Sequence, residues 1–577
     1  MRSIIREGRD WAVAPLPDES LVAAIRSSLG CGRPFAVLLA QRGGTEWEQL
    51  IDPGLAHLHS PFLMHDMDVA VDRILQAASA KERIFVHGDF DVDGLSGAAV
   101  LYLGLRPLFP ANSIKVEVGD RTHGHGLSRP FVLRAIEEAF DLVLTVDCGI
   151  SNADEIKALG DAGIDTIVTD HHVPPPDLPN AVAIVDPHRT DCAYPNQNLA
   201  GVGVAFKLIC GVYERLGRPF PAHLLDLTAL GTIADLVPLA GDGDSENRAL
   251  VKEAFARIGE DAGSSMGLRA LMAKLSVNPK KISATDIGFF LAPKLNAANR
   301  AGDPKVAFLL LITEQQDQAE YLAEILLDYN RDREIAQNDL IAQAEQMIRE
   351  ENLDPQSDGL LFLTGKYWNE GILGLVASNL ADRYRVPAMI LSKNDRISRA
   401  SCRSVGGFDM NACLRHHADL LLQYGGHKMA AGFSVSNDLL GELEEKVLAY
   451  AATHRDSIPQ AEPDRIDAEI RLDEVDLRFY TNLNSLAPFG NGNPAPRFLV
   501  RGCSFQALTL VGNRRHHLKG RAVQEGTAVP LIAFRLGKHL SRFEESQDAA
   551  LVCHVNFDDW RSNVQVQGID LVQAEAQ

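Results

Sequence analysis

Between residues 83 and 240 the chain alternates short apolar runs with longer stretches whose apolar residues recur at helical spacing. RIFV (83–86), DLVLTV (141–146), DTIVT (165–169) and AVAIV (181–185) are apolar nearly throughout. A strand covered on one face alternates in polarity, so runs of this kind predict strands buried on both faces, as in a parallel sheet. SGAAVLYLGLRPLF, RPFVLRAIEEAF and NADEIKALGDAG fall between them and read as helices. The succession predicts a doubly wound parallel-sheet α/β domain over 71–250.

Residues 251–355 read as helical. Within them 317–351 is charged and free of Gly and Pro, which predicts a long, solvated connecting helix. GLLFLTG, PAMILS and AGFSV alternate with helical stretches again and predict a smaller α/β domain over 356–455. THRDSIPQAEPDR (453–465) has the composition of a linker. After it, RFLVRGCSFQALTLVG, HHLKGRAV, VPLIAFRL and AALVCHVNF read as short strands between turns, predicting a β-rich barrel or sandwich over 465–577. Residues 1–70 stand apart as an N-terminal segment.

Composition narrows the function classes. With 577 residues, 46% hydrophobic and 23% charged, the chain has material for several globular cores. No run approaches the roughly 18 apolar residues of a membrane helix. The N-terminus lacks the apolar stretch of a signal peptide, so the expectation is a cytoplasmic protein without membrane contact. Eight cysteines without C-x-x-C spacing argue against a zinc knuckle or a disulfide framework. The net charge of −21 disfavours nonspecific coating of nucleic acid but permits a local basic groove.

The chemistry lies where the predicted strands end. RIFV runs into HGDFDVDG, with His87, Asp89, Asp91 and Asp93; LTV into Asp147; TIVT into Asp170, His171 and His172; AIV into Asp186. In an open parallel sheet these ends face one crevice. ALGTIADLVPL adds Asp235 in apolar surroundings. Two carboxylates ~4 Å apart repel by about 4 kcal/mol at an effective dielectric near 20, so protons or cations must compensate. Interleaved imidazoles favour a divalent ion of the Mn²⁺ or Mg²⁺ kind, whereas zinc would more often recruit cysteine and finds only Cys148. Any one of these aspartates alone reads as a helix cap, so it is their convergence that points to metal. D-x-D-x-D-G also opens an EF-hand, but the twelfth position is Val100 and a strand, not a helix, precedes it. Ser96 and Ser151 beside the motifs read as helix caps.

VTDHH (168–172), with HGDFDVDGLSG, VDCGIS and the Asp235 segment in that order, resembles the DHH phosphoesterase family. The resemblance implies two Mn²⁺ or Mg²⁺ ions held by Asp89, Asp91, Asp147, His171 and Asp235, with Asp147 bridging. It implies catalysis by Asp147, His171 and His172, with His172 second to the ions or facing phosphate. His87 and Asp93 would stand near the ions, and Asp170 would orient a histidine. Smaller members open with H-x-x-P-D-x-D; here Phe85 stands four residues before Asp89, and HGDFDVDG resembles instead the branch that digests single-stranded DNA from its 5′ end.

Further segments resemble that branch. DRTHGHGLS (120–128) implies a phosphate-facing Arg121, with His125 where tyrosine is more usual. LAPKLNAANRAGDP (291–304) implies substrate contacts from Asn296 and Arg300, while Lys294 and Asn299 depart from the pattern. SCRSV (401–405) and YGGHKMAAGFSV (424–435) resemble the associated DHHA1 domain and imply Ser401, Arg403, Gly425, Gly426 and His427 at substrate phosphate. The two glycines would allow close backbone approach, and the helix expected after them would offer amide N–H groups to an anion. The last region resembles an OB-type module more weakly. In it Arg514, Arg515, Lys519 and Arg521 make a basic strip suited to a single strand, with Phe498, Phe505 or Phe534 as candidates for base stacking. The resemblance implies a monomeric 5′→3′ exonuclease for single-stranded DNA in repair and recombination, beside a RecQ-type helicase and a single-strand-binding protein. Two other readings stay open: a family enzyme for short RNA or cyclic dinucleotides, and a binding protein without catalysis. Against the second, every expected ligand position holds Asp or His.

Overall fold

The computed structural model describes residues 1–5, 9–121, 124–241, 244–260, 264–405, 407–454, 463–546 and 549–572. The linker expected over 453–465 falls largely on 455–462, outside the described residues. A five-stranded parallel sheet in the order Ile114–Val118, Ile84–Gly88, Leu142–Val146, Asp165–Thr169, Ala183–Val185 forms the first domain. Successive side chains point to opposite faces. Ile84 and Val86 join one core with the helices Met67–Ala80, Val92–Leu105 and Gly201–Arg215. Phe85 joins the other with Arg129–Glu137 and Ala153–Asp161. Both faces are therefore covered, which is why four of these strands read as unbroken apolar runs.

The fifth strand, Ile114–Val118, was not among those expected. It is an edge strand of alternating sequence, IKVEV. Lys115 and Glu117 pair with Glu138 and Arg134 beside it, both at 2.5 Å. Its placement creates the reversal of strand order. The chain passes from Ile84–Gly88 outward to the edge, then back across to Leu142–Val146, and a crevice opens between these two strands.

The helix Gln316–Glu350 has 35 residues and is less solvated than its charge suggests. Ala319, Leu322, Ala323 and Leu326 are buried in the first domain's core, and Leu340, Ala344 and Ile348 in that of the next domain. That domain holds a mixed sheet in the order Gln423–Gly426, Ala430–Ser436, Ile397–Arg403, Ala388–Lys393, Leu361–Lys366. The C-terminal region is a barrel: six strands, with Phe498–Val511 pairing to Ala549–Asp558 to close the sheet on itself.

The N-terminal segment packs on this barrel. Trp11–Val13 pairs in parallel with Asp464–Ile466, and Trp11 Nε1 donates to Asp570 at 2.8 Å. The helices Glu19–Leu29 and Arg33–Gly43 bury Val22, Ile25, Phe35, Val37 and Leu38 in the barrel's own core. Among the described residues no single helix is long and apolar enough to cross a membrane.

Candidate metal centre and phosphate cleft

The register of the parallel sheet brings the acidic residues to one level. Gly88 stands beside Val146 and Val146 beside Thr169. The next backbone N–H of each strand bonds its neighbour: Asp89 to Val146 at 3.2 Å, Asp147 to Thr169 at 3.1 Å, Asp170 to Val185 at 3.1 Å. Asp91 caps the helix that follows, accepting from Asp93 N and Gly94 N. Asp147 lies in the left-handed region at φ 61. A Cβ on Gly201 would lie 2.6 Å from that of Asp147, so only glycine lets this helix start come so close.

Three donor groups result, each with its ligand atoms within 4.8 Å: Asp89, Asp91 and Asp147; Asp147, His171 and His172; Asp93, His171 and Asp235. His171 Nε2 lies 3.1 Å from Asp147 and 3.8 Å from both Asp93 and Asp235. Both Asp93 oxygens already accept backbone N–H groups, from Gly201 at 2.7 Å and Val202 at 2.8 Å. Asp170 accepts from the amides of Ile150, His171 and His172 and meets His172 Nδ1 at 2.8 Å. His87 is buried with its ring 4.5 Å from Phe131.

The charges are mutually uncomfortable in the way a cation would relieve. Burial, then Asp235 and Asp91, lifts Asp93 well above the usual carboxylate range; burial, then Asp93, Asp91 and Asp89, does the same to Asp147. Burial and Asp91 raise Asp235 to about 7. Burial and the neighbouring His172 lower His171 to about 4, leaving it neutral near pH 7, the form that ligates metal. Asp170 is the contrast. Burial opposes its charge, yet the His172 bond and the amides hold it down to about 2. The buried Asp89 Oδ1 has no hydrogen-bond partner. Hard carboxylate oxygens with neutral imidazole fit divalent cations of the manganese or magnesium kind.

Opposite the carboxylates lies a cationic group. Arg121 stacks on Phe90 of the HGDFDVDG motif, 4.2 Å from the ring centroid. Burial lowers Arg300 to about 9, helped by the nearby charges of Arg121, Arg333 and Arg403. Arg300 donates to Gly371 O at 2.7 Å and ties the first domain to the second. Arg403 and Ser401 share the strand Ile397–Arg403, and Asn296 is half-buried in the helix Ala292–Ala301. Asn299, whose role was open, fastens two strand-end loops: it donates to Phe90 O at 3.1 Å and Gly119 O at 2.9 Å and accepts from Arg121 N at 3.1 Å.

Four expectations change. No helix follows Gly425 and Gly426; they end one arm of a hairpin whose other arm is Ala430–Ser436, because Gly426 pairs with Ala431 and His427 N donates to Ala430 O. Ala430 in turn pairs with Arg403, so the hairpin adjoins the arginine strand. Ser96 lies inside the helix that Asp91 caps, and Ser151 precedes Asn152, the N-cap of Ala153–Asp161, so neither serine is a cap. In the barrel, Phe498 is fully buried and Phe505 half-buried against Phe543, leaving Phe534 exposed, while Trp560, passed over, is 99% exposed. Arg514, Arg515 and Arg521 are exposed, whereas Lys519 sits 3.6 Å from Asp558.

Two further groups stand here: Arg333, with no motif to mark it, on the helix Gln316–Glu350, and His125, whose Nδ1 lies 3.0 Å from Asp89. The only signal for Arg333 is its spacing from Asn330 and Gln337, both of which it hydrogen-bonds.

The chain is similar to known proteins over most of its length. The DHH family N-terminal domain matches residues 83–232, the DHHA1 domain 357–453 and the RecJ OB domain 466–569. The single-stranded-DNA-specific exonuclease RecJ of Bacillus subtilis is 32% identical over 560 residues, 96% of this chain and 69% of that one. The crystal structure of Thermus thermophilus RecJ with Mn²⁺ superposes with a TM-score of 0.82 at 31% identity, covering 99% of this chain and 80% of that one. Its Mg²⁺ complex superposes with a TM-score of 0.77 at 29% identity, covering 99% and 79%.

Proposed function

The chain belongs to the RecJ family of single-stranded-DNA-specific exonucleases, and from that premise we propose that it removes nucleotides from the 5′ end of single-stranded DNA by metal-dependent hydrolysis. What carries this is the meeting of two donor groups that share Asp147 at the reversal of the sheet. Asp89, Asp91 and Asp147 would hold one divalent cation; His171, whose Nε2 lies 3.1 Å from Asp147 and 3.8 Å from Asp235, would join those two carboxylates around the other. When bound, two such ions lower the pKa of water and neutralise charge building on phosphate oxygens.

The chain's own residues do the rest. Asp93 spends both oxygens on the start of the helix Gly201–Arg215 and so fixes the floor of the site. Against the effect of burial, the 2.8 Å contact with Asp170 raises the pKa of His172 and so favours the protonated form that could grip a non-bridging oxygen. Arg121, Arg300, Arg403, Ser401 and His427 would position the scissile phosphate, with Asn296 beside them and Gly425 and Gly426 leaving room for the backbone. Catalysis is assigned to residues 71–250, substrate grip to 356–455 across the helical 251–355, and strand guidance to 465–577 with Arg514, Arg515, Lys519 and Arg521. We place the enzyme in the cytoplasm as a monomer in DNA repair and recombination, beside a RecQ-type helicase and a single-strand-binding protein.

Digestion of oligonucleotides blocked at the 5′ or the 3′ end tests this. Release of mononucleotides from 3′-blocked single strands with Mn²⁺ or Mg²⁺, stopped by chelator and absent with 5′-blocked or blunt duplex DNA, is expected. Degradation of 5′-blocked strands, or activity that survives chelation, would overturn it.

A further inference from the structure

The loop that carries Asp235 is held from outside its own domain. Asp235 follows the helix Leu225–Ala234, and Leu236 after it turns to φ 62, so the helical ladder stops there. The backbone groups of 236–240 then need other partners. Asn491, in the C-terminal region, supplies two. Its side-chain amide donates to Leu236 O, and its backbone carbonyl accepts from Leu239 N at 2.8 Å.

The turn presenting Asn491 is rigidly built. Gly490 and Asn493 exchange backbone hydrogen bonds at 2.9 and 3.2 Å. The Asn493 side chain donates to Leu486 O at 2.8 Å and Pro488 O at 2.9 Å, and accepts from Arg42 of the N-terminal helices at 2.8 Å. The fit to the loop is close. A Cβ on Gly492, whose φ is 69, would lie 2.4 Å from Ala240 O and 2.8 Å from Pro238 Cβ. From the other side Asn247 donates to Pro238 O at 2.9 Å. The loop is thus gripped between its own domain and the C-terminal turn, one residue beyond the carboxylate.

We propose that Asn491 is a positioning residue for the metal centre: the turn Gly490–Asn493 sets the place of Asp235, which makes the C-terminal module part of the cation site as well as a guide for DNA. This rests on the reading of Asp235 as a ligand. Asn491 touches no reacting atom and acts through the Leu236 backbone.

The test uses the full chain with Asn491→Asp, Gly492→Ala and Asp235→Ala. Asn491→Asp keeps the shape but turns an oxygen toward the Leu236 carbonyl. Mn²⁺ binding is followed by calorimetry, alongside kcat, KM and the melting temperature without metal. Asp235→Ala should lose one of two bound Mn²⁺. Asn491→Asp and Gly492→Ala should keep both while weakening one by about 10- to 100-fold. Their kcat should fall at limiting Mn²⁺ and recover at saturating Mn²⁺, with KM for single-stranded DNA unchanged. A wild-type Mn²⁺ isotherm in Asn491→Asp, whatever its melting temperature, would overturn the proposal. A wild-type isotherm in Asp235→Ala would overturn the ligand reading beneath it.

Discussion

At the scale of single residues the centre depends on groups kept in states they would not choose in water. Asp147 sits in a backbone region that costs a non-glycine residue about 1–3 kcal/mol, and its carboxylate is surrounded by others. Asp147→Asn keeps the shape and removes the charge. It should lower nuclease activity by about a thousandfold or more while leaving affinity for single-stranded DNA nearly unchanged, as gel shift and product release would report. The proton on Asp235 gives a second expectation. The metal-free folded chain holds it up to about pH 7, whereas an unfolded aspartic acid releases it near pH 4. Between those values the folded state binds more protons, so this group lowers stability as pH rises, and cation binding must expel the proton. Mn²⁺ affinity should therefore climb up to about pH 7 and flatten above it, and calorimetry in buffers of different ionisation enthalpy should show fewer protons released past that point. Buried Asp186, which belongs to none of the three donor groups, behaves alike. Burial raises it to about 8, so its stability contribution falls from about pH 4 to about pH 8. Asp186→Asn should melt higher than wild type at pH 8 and equally at pH 4.

At the scale of elements the parallel sheet was legible because its inner strands are buried on both faces and so read as apolar runs. Equal register then carried Asp89, Asp147 and Asp170 to one level, which is why strand ends alone located the crevice. The edge strand Ile114–Val118 was illegible because Lys115 and Glu117 satisfy themselves in ion pairs with a neighbouring helix. The Gly425–Gly426 hairpin was taken for a helix start because glycine permits either turn and the pairing partners Ala430 and Ala431 lie across the chain reversal. Arg333 and Asn299 escaped because their partners come from distant segments, which spacing does not reveal. Asn299 now yields its own test. Asn299→Asp places a carboxylate oxygen against the carbonyls of Phe90 and Gly119, at a cost of about 1–3 kcal/mol. The variant should melt lower without metal and show a raised KM for single-stranded DNA, since the same amide anchors Arg121.

At the scale of the whole molecule, residues 9–51 and the described part of the C-terminal region form one body. The N-terminal helices share a core with the C-terminal barrel, and everything between leaves that body and returns to it. Deleting 463–577 alone should leave the apolar face of 1–51 bare and yield aggregated protein, whereas deleting 1–51 and 463–577 together should give a soluble core; size-exclusion chromatography distinguishes the two. The loop bearing Asp235 touches this body as well, so the double deletion should also weaken Mn²⁺ binding. The most direct measurement is anomalous diffraction at the manganese edge from crystals soaked in Mn²⁺. Two peaks are expected at the strand ends, one against Asp89 and Asp91, the other against His171 and Asp235, both within reach of Asp147. No peak in that crevice, or a single one away from Asp147, would contradict the account.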